Sequence, residues 1–308
     1  MLPDRPFFGV MLMLAFCVLA PLGDGIAKLL GDMIAVSVLV LVRFVVQALI
    51  LVPLVAWRGH GFRLPPGLLG WTVLRTVLHI LGIGFMFSAL RFLPLADALA
   101  IAFVMPFLML LLGYFVMGEQ VGTHRMVACA VGFGGTLLVI QPNFAAVGVP
   151  ALLPLGVAMV FALFMMVTRR IARVVDPITL QAITLQAISG VQATAVMIPL
   201  ALLLSAAGET VVFAPGPGTW WLLLALGGVG TLAHLCMTWS LRFAPASTVA
   251  PMQYLEIPFG TAIGWLIFAD LPNGLAAIGI CITVAAGLYI ILRERRLSKS
   301  PPDAPAVV

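Results

Sequence analysis

Ten apolar runs, each about twenty residues long and nearly free of charge, follow one another along the chain and leave it one solvent to fold in. They fall at approximately 8–29, 34–57, 67–90, 95–117, 124–141, 151–171, 178–206, 218–240, 246–269 and 274–292. About 20 apolar residues wound as a helix cross the roughly 30 Å of bilayer hydrocarbon. The run at 178–206 is long enough to tilt or to extend past the bilayer. Composition agrees: 63% of residues are hydrophobic and 9% are charged, against about 25% charged in ordinary globular domains. Sixteen basic and eleven acidic side chains cannot clothe a water-soluble surface of this size. A secreted enzyme, a cytosolic dinucleotide-binding enzyme and a nucleic-acid binder are excluded. Open strands leave backbone groups unsatisfied in hydrocarbon, and no alternating barrel pattern appears. The expected fold class is an all-α membrane protein.

Arg5 ahead of the first apolar run imitates a signal peptide, but no small-x-small cleavage pattern closes it and a second run follows at once. It reads as an uncleaved first helix. Cys17, Cys129, Cys236 and Cys281 all lie inside apolar runs without CxxC spacing, so neither a disulfide framework nor a zinc site is indicated.

Lysines and arginines orient the spans. With the N-terminus in the cytoplasm, the inner segments carry Arg5, Arg58, Arg63, Arg125, Arg169, Arg170, Arg173, Arg242, Arg293, Arg295, Arg296 and Lys299, whereas the outer side carries Lys28 and Arg91. The basic pI is thus a topology signal, and both termini are expected inside. The tail over 293–308 is polar and proline-containing.

The chain also repeats itself. Arg91-Phe92-x-Pro94 returns as Arg242-Phe243-x-Pro245, and Tyr114 and Glu119 fall at Trp265 and Asp270, all at an offset of 151. Pro106-Phe107 returns as Pro258-Phe259 one residue out of step. Two units, 1–145 and 146–292, then hold five helices each, and an odd number makes the second run through the bilayer upside down. Inverted bundles around a shared site can open it to either side in turn, so the expected architecture is two inverted five-helix repeats around a central cavity, and the expected function is transport.

These features resemble the EamA-type transporters of the drug/metabolite transporter superfamily. The likeness rests on the five-plus-five order, the RF-x-P turn into a proline-interrupted fourth helix, Gly118-Glu119 closing that helix, and the glycine-rich fifth helix (Gly132, Gly134, Gly135). A ninth helix broken near Pro251 and Pro258 ends at Ala269-Asp270, where the first unit has Gly-Glu. Within the family the chain is most similar to bacterial exporters of amino acids, aromatic ones included. The resemblance implies a basket whose cavity is lined by spans 1, 3, 4, 6, 8 and 9. Bending at Pro106, Pro251 and Pro258 would then exchange inward- and outward-open states; a static kink is the alternative.

Ionisable groups in hydrocarbon usually face a cavity or a partner. Glu256, with Gln253 and Tyr254 beside it in span 9, is the foremost candidate, as a proton carrier or a binder of a substrate ammonium. Asp24 and Arg43 either pair with each other or act separately, Asp24 in proton coupling and Arg43 as a bidentate donor to a carboxylate. His79 in span 3 is a candidate for binding or proton coupling, and His234 in span 8 is a weaker one. Asp97 and Arg91 read as interfacial. Trp57, Trp71, Trp220 and Trp221 sit at span ends, as an interfacial belt requires. Trp239, Phe161 and Tyr254 lie on spans expected to line the cavity, where a ring would suit an aromatic side chain; core packing is the alternative for each.

Neither a Walker loop nor a hydrolase motif is present, and nothing calls for a cofactor or metal. The expectation is a multi-pass protein of a bacterial-type inner membrane. It exports amino acids or similar small metabolites by alternating access, with membrane lipid as its surroundings, no nucleic-acid partner, and an arrangement compatible with a monomer. Alternatives are a nucleotide-sugar, organic-phosphate or drug transporter of the same superfamily, or an intramembrane lipid-modifying enzyme.

Overall fold

Glycine, proline and the few charges divide the chain where they were expected to. The computed structural model describes residues 6–57, 64, 66–105, 107–108, 112, 123–174, 182–206, 216–243 and 250–299. Among these, the regular elements are all helical: α1 (Pro6–Gly31), α2 (Val36–Trp57), α3 (Leu69–Ala89), α4 (Leu95–Ala102), α5 (Thr123–Val147), α6 (Leu153–Val174), α7 (Ala182–Ala206), α8 (Pro217–Phe243), α9 (Glu256–Phe268) and α10 (Gly274–Lys299). Two 3-10 turns, Val149–Leu152 and Ala250–Leu255, lead into α6 and α9. Gly148 separates α5 from the first turn at φ 73°, ψ −142°, a region that glycine alone enters without strain.

The expectation of ten spans is met in part. Seven stretches of the described residues are long and apolar enough to cross a bilayer, from α1, α2, α3, α5, the first 3-10 turn with α6, α7 and α8. Gly274–Tyr289 in α10 is a shorter apolar helix. The fourth and ninth runs depart from single continuous spans because their helices are interrupted. α4 stops at Ala102, whose carbonyl lies four residues before Pro106, where a proline ring clashes with a helical carbonyl. Pro106 itself lies outside the described residues. The ninth run turns as 3-10 helix from Ala250, then restarts as α9 at Glu256, which places Pro258 in the first turn, where its missing N–H has no helical partner to lose. Pro251 belongs to the 3-10 turn.

The helices pair across the chain midpoint. α1 packs on α8, α3 on α6, α2 on α7, α4 on α9 and α5 on α10, with further packing of α2 on α8, α3 on α7, α1 on α9 and α4 on α6. Exchanging each helix for the one five later maps α1–α8 onto α6–α3, α2–α8 onto α7–α3 and α1–α9 onto α6–α4. The same exchange returns the other three pairings to themselves. Small residues permit the closest approaches: a Cβ built on Gly279 of α10 would stand 2.5 Å from the carbonyl oxygen of Gly135 of α5.

Two residues expected at the interface are tied into this packing. Asp97, in the first turn of α4, is buried and accepts a hydrogen bond of 2.9 Å from Asn143 Nδ2 of α5. Arg91 donates from Nε to the carbonyl oxygen of Gly31 at 2.7 Å, capping the end of α1 as basic side chains do. Trp57, Trp221 and Trp265 remain exposed at or near helix ends.

Candidate functional site

The interruption of α4 and the restart of α9 open onto one central cavity of about 160 Å³. Its walls come from α1, α3, α4, α6, α8 and α9, with one side chain from α2, Arg43. Helical spacing selects the residues that reach it. Phe16, Ala20, Gly23 and Asp24 form one face of α1, and Gly230, Ala233, His234 and Met237 one face of α8. Most of the lining is apolar, with Phe16, Phe87, Phe103, Phe161 and Phe164 as its rings. Polar groups are few: Asp24, Arg43, His234, Gln253 and Glu256.

Six of the residues singled out from sequence therefore meet here: Asp24, Arg43, Phe161, His234, Gln253 and Glu256. Asp24 is partly open to the cavity and Glu256 is 9% exposed. Glu256 also stands at the first position of α9, where a carboxylate complements the helix dipole. Among the described residues the ion pair within 4 Å is Lys28–Asp270, so Asp24 and Arg43 do not form the direct pair considered above. Arg43, 5% exposed, instead donates from Nη2 to His234 Nδ1 at 3.1 Å, lies over the Phe44 ring at 5.6 Å, and has no partner at Nη1. The guanidinium is seated against Gly230, where an added Cβ would come 2.8 Å from Nε.

Three other candidates lie elsewhere. His79 is fully enclosed behind the wall, with Nε2 3.3 Å from His234 Nε2 and its ring 5.0–5.1 Å from Phe164 and Phe44. Trp239 packs with Leu51, Val55, Ile183, Ala187 and Leu235 between α2, α7 and α8. Tyr254 points away from the cavity onto α10, filling the space above Gly287 and packing 5.4 Å from Phe103. His234, ranked below His79 from sequence, is the histidine in the wall. Its position four residues after Gly230, in the Gly-Gly-x-Gly stretch that lets Arg43 approach, is the signal that could have ranked it higher.

A second buried arginine needs no ligand. Arg75 of α3 donates to Thr168 Oγ1 at 3.0 Å and to Ser189 Oγ at 2.7 Å, and stacks 4.5 Å from the Phe164 ring. Thr76 Oγ1 joins the same network 3.2 Å from Ser189 Oγ and also lies 2.8 Å from Gln192 Oε1. These bonds fasten α3 to α6 and α7. Arg43 has no such set, and a buried cation without an ion pair is costly unless something else supplies acceptors.

Comparison with known proteins assigns this architecture. The model of the EamA-like transporter family matches residues 7–141 and again residues 149–293. The chain belongs to the EamA-like transporter family. As an EamA-like protein of the drug/metabolite transporter superfamily, it is a multi-pass membrane protein whose relatives are transporters. It is 30% identical to a riboflavin transporter of Rhizobium johnstonii over 74% of this chain and 72% of that one. It is 23% identical to an S-adenosylmethionine uptake transporter of Rickettsia prowazekii over 96% of each chain. A solved crystal structure matches with a TM-score of 0.63 at 20% identity, covering 96% of this chain and 98% of that one, which is a likeness of fold alone. Neither of these named relatives is described as an amino-acid exporter.

Proposed function

We propose that this EamA-like chain is a secondary transporter for a flat heteroaromatic metabolite with a polar tail, of the riboflavin class, held in the central cavity. The carrying observation is the cavity wall: phenylalanine rings around a buried Arg43 whose Nη1 lacks an acceptor, with Asp24, Gln253 and Glu256 in the same wall. Rings suit a flat π-system, the unpartnered Nη1 of Arg43 suits a ring carbonyl, and carboxyl and amide groups suit hydroxyls. The relative described as a riboflavin transporter supports the same class.

Ten spans in two inverted five-helix units, 1–145 and 146–292, complete the reading, with residues 293–308 and both termini in the cytoplasm of a bacterial-type inner membrane. The exchange symmetry of the helix pairings and the doubled family match support it. Alternating access then works by bending at the interrupted fourth and ninth helices, at Pro106, Pro251 and Pro258, around the cavity they open onto. Glu256 and Asp24 are the proposed proton carriers, and His79 acts from behind the wall.

A second reading, transport of an amino acid, is favoured by the same polar set: a guanidinium and two carboxyls in one wall can hold a zwitterion between them. Transport into proteoliposomes separates the two. Radiolabelled riboflavin is expected to accumulate and phenylalanine is not; the reverse result replaces the first reading with the second. Glu256→Gln is expected to abolish the pH dependence of transport, and a variant with unchanged rate and pH profile removes Glu256 from the mechanism.

A further inference from the structure

His234 is offered two partners at one nitrogen that it cannot serve together. Its Nδ1 lies 3.1 Å from Arg43 Nη2 and 3.1 Å from the carbonyl oxygen of Gly230. A guanidinium only donates and a carbonyl only accepts, so Nδ1 must be bare to receive the first and protonated to reach the second. The other nitrogen, Nε2, faces His79 Nε2 at 3.3 Å, a contact served by one proton. His79 Nδ1 is buried without a partner, as is Arg43 Nη1.

Two arrangements follow, each with neutral rings carrying one proton apiece. In the first, His234 Nδ1 accepts from Arg43, His234 Nε2–H donates to His79, and His79 keeps its proton on Nδ1, where no acceptor exists. In the second, His79 Nε2–H donates to His234 Nε2, His234 Nδ1–H donates to Gly230, and Arg43 Nη2 is released. Either way an N–H group besides Arg43 Nη1 stays unpaired. An unpaired buried donor is costly, and the chain His79–His234–Arg43 is one acceptor short.

We propose that the substrate brings the missing acceptor, and that His79 and His234 are positioning residues that convert its arrival at Arg43 into a change of tautomer. The proposal rests on the cavity being the transport site. In the empty protein the charged guanidinium is the stronger donor and holds the first arrangement. An oxygen of the ligand, from a ring carbonyl, an imide or a carboxylate, takes over the Nη groups of Arg43 and releases His234 to Gly230, so that every ring proton is paired. Protons are conserved: on each ring one leaves one nitrogen and one arrives at the other, with water as the carrier.

The test is nitrogen-15 NMR of the full chain, labelled at histidine and held in lipid nanodiscs, with His79→Phe and His234→Leu assigning the signals. The empty protein is expected to show His234 as Nε2–H and His79 as Nδ1–H. Arg43→Met is expected to reverse both without any ligand. Riboflavin is expected to reverse both in the unsubstituted chain, with quenching of flavin fluorescence as an independent report of binding. Identical tautomers with and without Arg43 overturn the inference, and so does quenching without reversal. Reversal in Arg43→Met with no quenching by riboflavin upholds the coupled histidines and removes riboflavin as the occupant.

Discussion

Lys28 Nζ lies 2.9 Å from Asp270 Oδ2, tying the last turn of α1 to the residue that follows the cap of α9. The same ammonium donates to the carbonyl oxygen of Leu93 at 3.0 Å, in the turn between α3 and α4, and sits over the Phe268 ring. One side chain thus holds three helix ends together. Because Lys28 and Asp270 are partly exposed, the ion pair by itself is worth at most about 1 kcal/mol. Lys28→Met, which loses all three interactions, is expected to lower the midpoint of thermal unfolding more than Asp270→Asn, which loses one. Equal shifts would show that the carbonyl and ring interactions contribute nothing.

Ala269 ends α9 in the left-handed region, at φ 56°, ψ 21°. Its N–H bonds to the carbonyl of Trp265, four residues back, and that of Asp270 to Gly264; the first is the bond of an αL cap, in which glycine is the usual residue. The first half of the sequence has glycine at the matching place, Gly118. Ala269→Gly is expected to relieve strain and stabilise the protein by about 1 kcal/mol. Thermal unfolding in detergent measures it, and a lower midpoint contradicts the account.

At the α5–α10 crossing the neighbour of Gly279 is backbone, the carbonyl of Gly135, with Val139 and Leu138 beside it. Backbone has little room to yield. Gly279→Ala is expected to separate the helices and destabilise by about 1–3 kcal/mol. Gly134, one residue from that crossing, has nothing within 4 Å of an added Cβ, and Gly134→Ala is expected to be neutral or slightly stabilising, since alanine is the better helix former. Unfolding curves of the two variants provide the comparison.

How much was legible beforehand varies with the kind of information. The ends of α1, α2 and α3 fall within about two residues of the sequence expectation, because hydrophobic length is a property of the run itself. Which side of a helix faces the cavity is decided by its neighbours, and these come from the other half of the chain. Trp239 and His234 were both candidates on α8, yet five residues at about 100° each set them roughly 140° apart, so one wall could not take both. Where the 3-10 turn runs into α9, Gln253 and Glu256 are one turn apart and share a side, which leaves Tyr254 to face α10. Asp97 read as interfacial since its depth was visible and Asn143, 46 residues later, was not.

For Arg43, substitutions separate charge from shape. Lysine keeps the charge but cannot place planar donors both at His234 and toward the cavity, and glutamine loses the charge as well. A hydrogen bond from a charged donor is worth about 1.5–3 kcal/mol, so Arg43→Gln is expected to raise the KM for riboflavin by about ten- to a hundredfold, with Arg43→Lys only partly recovering it. Initial rates in proteoliposomes test this. An unchanged KM in both variants removes Arg43 from the binding site.

The principal pairings α1–α8, α2–α7, α3–α6, α4–α9 and α5–α10 all cross from one half of the chain to the other. The first five helices to leave the ribosome therefore meet lipid before they meet their main neighbours. They must wait in the bilayer as loosely associated rods until the later ones are synthesised. A gene fragment encoding the first half alone yields a protein whose helices lack their principal mates, prey for quality-control proteases unless it finds a duplicate of itself.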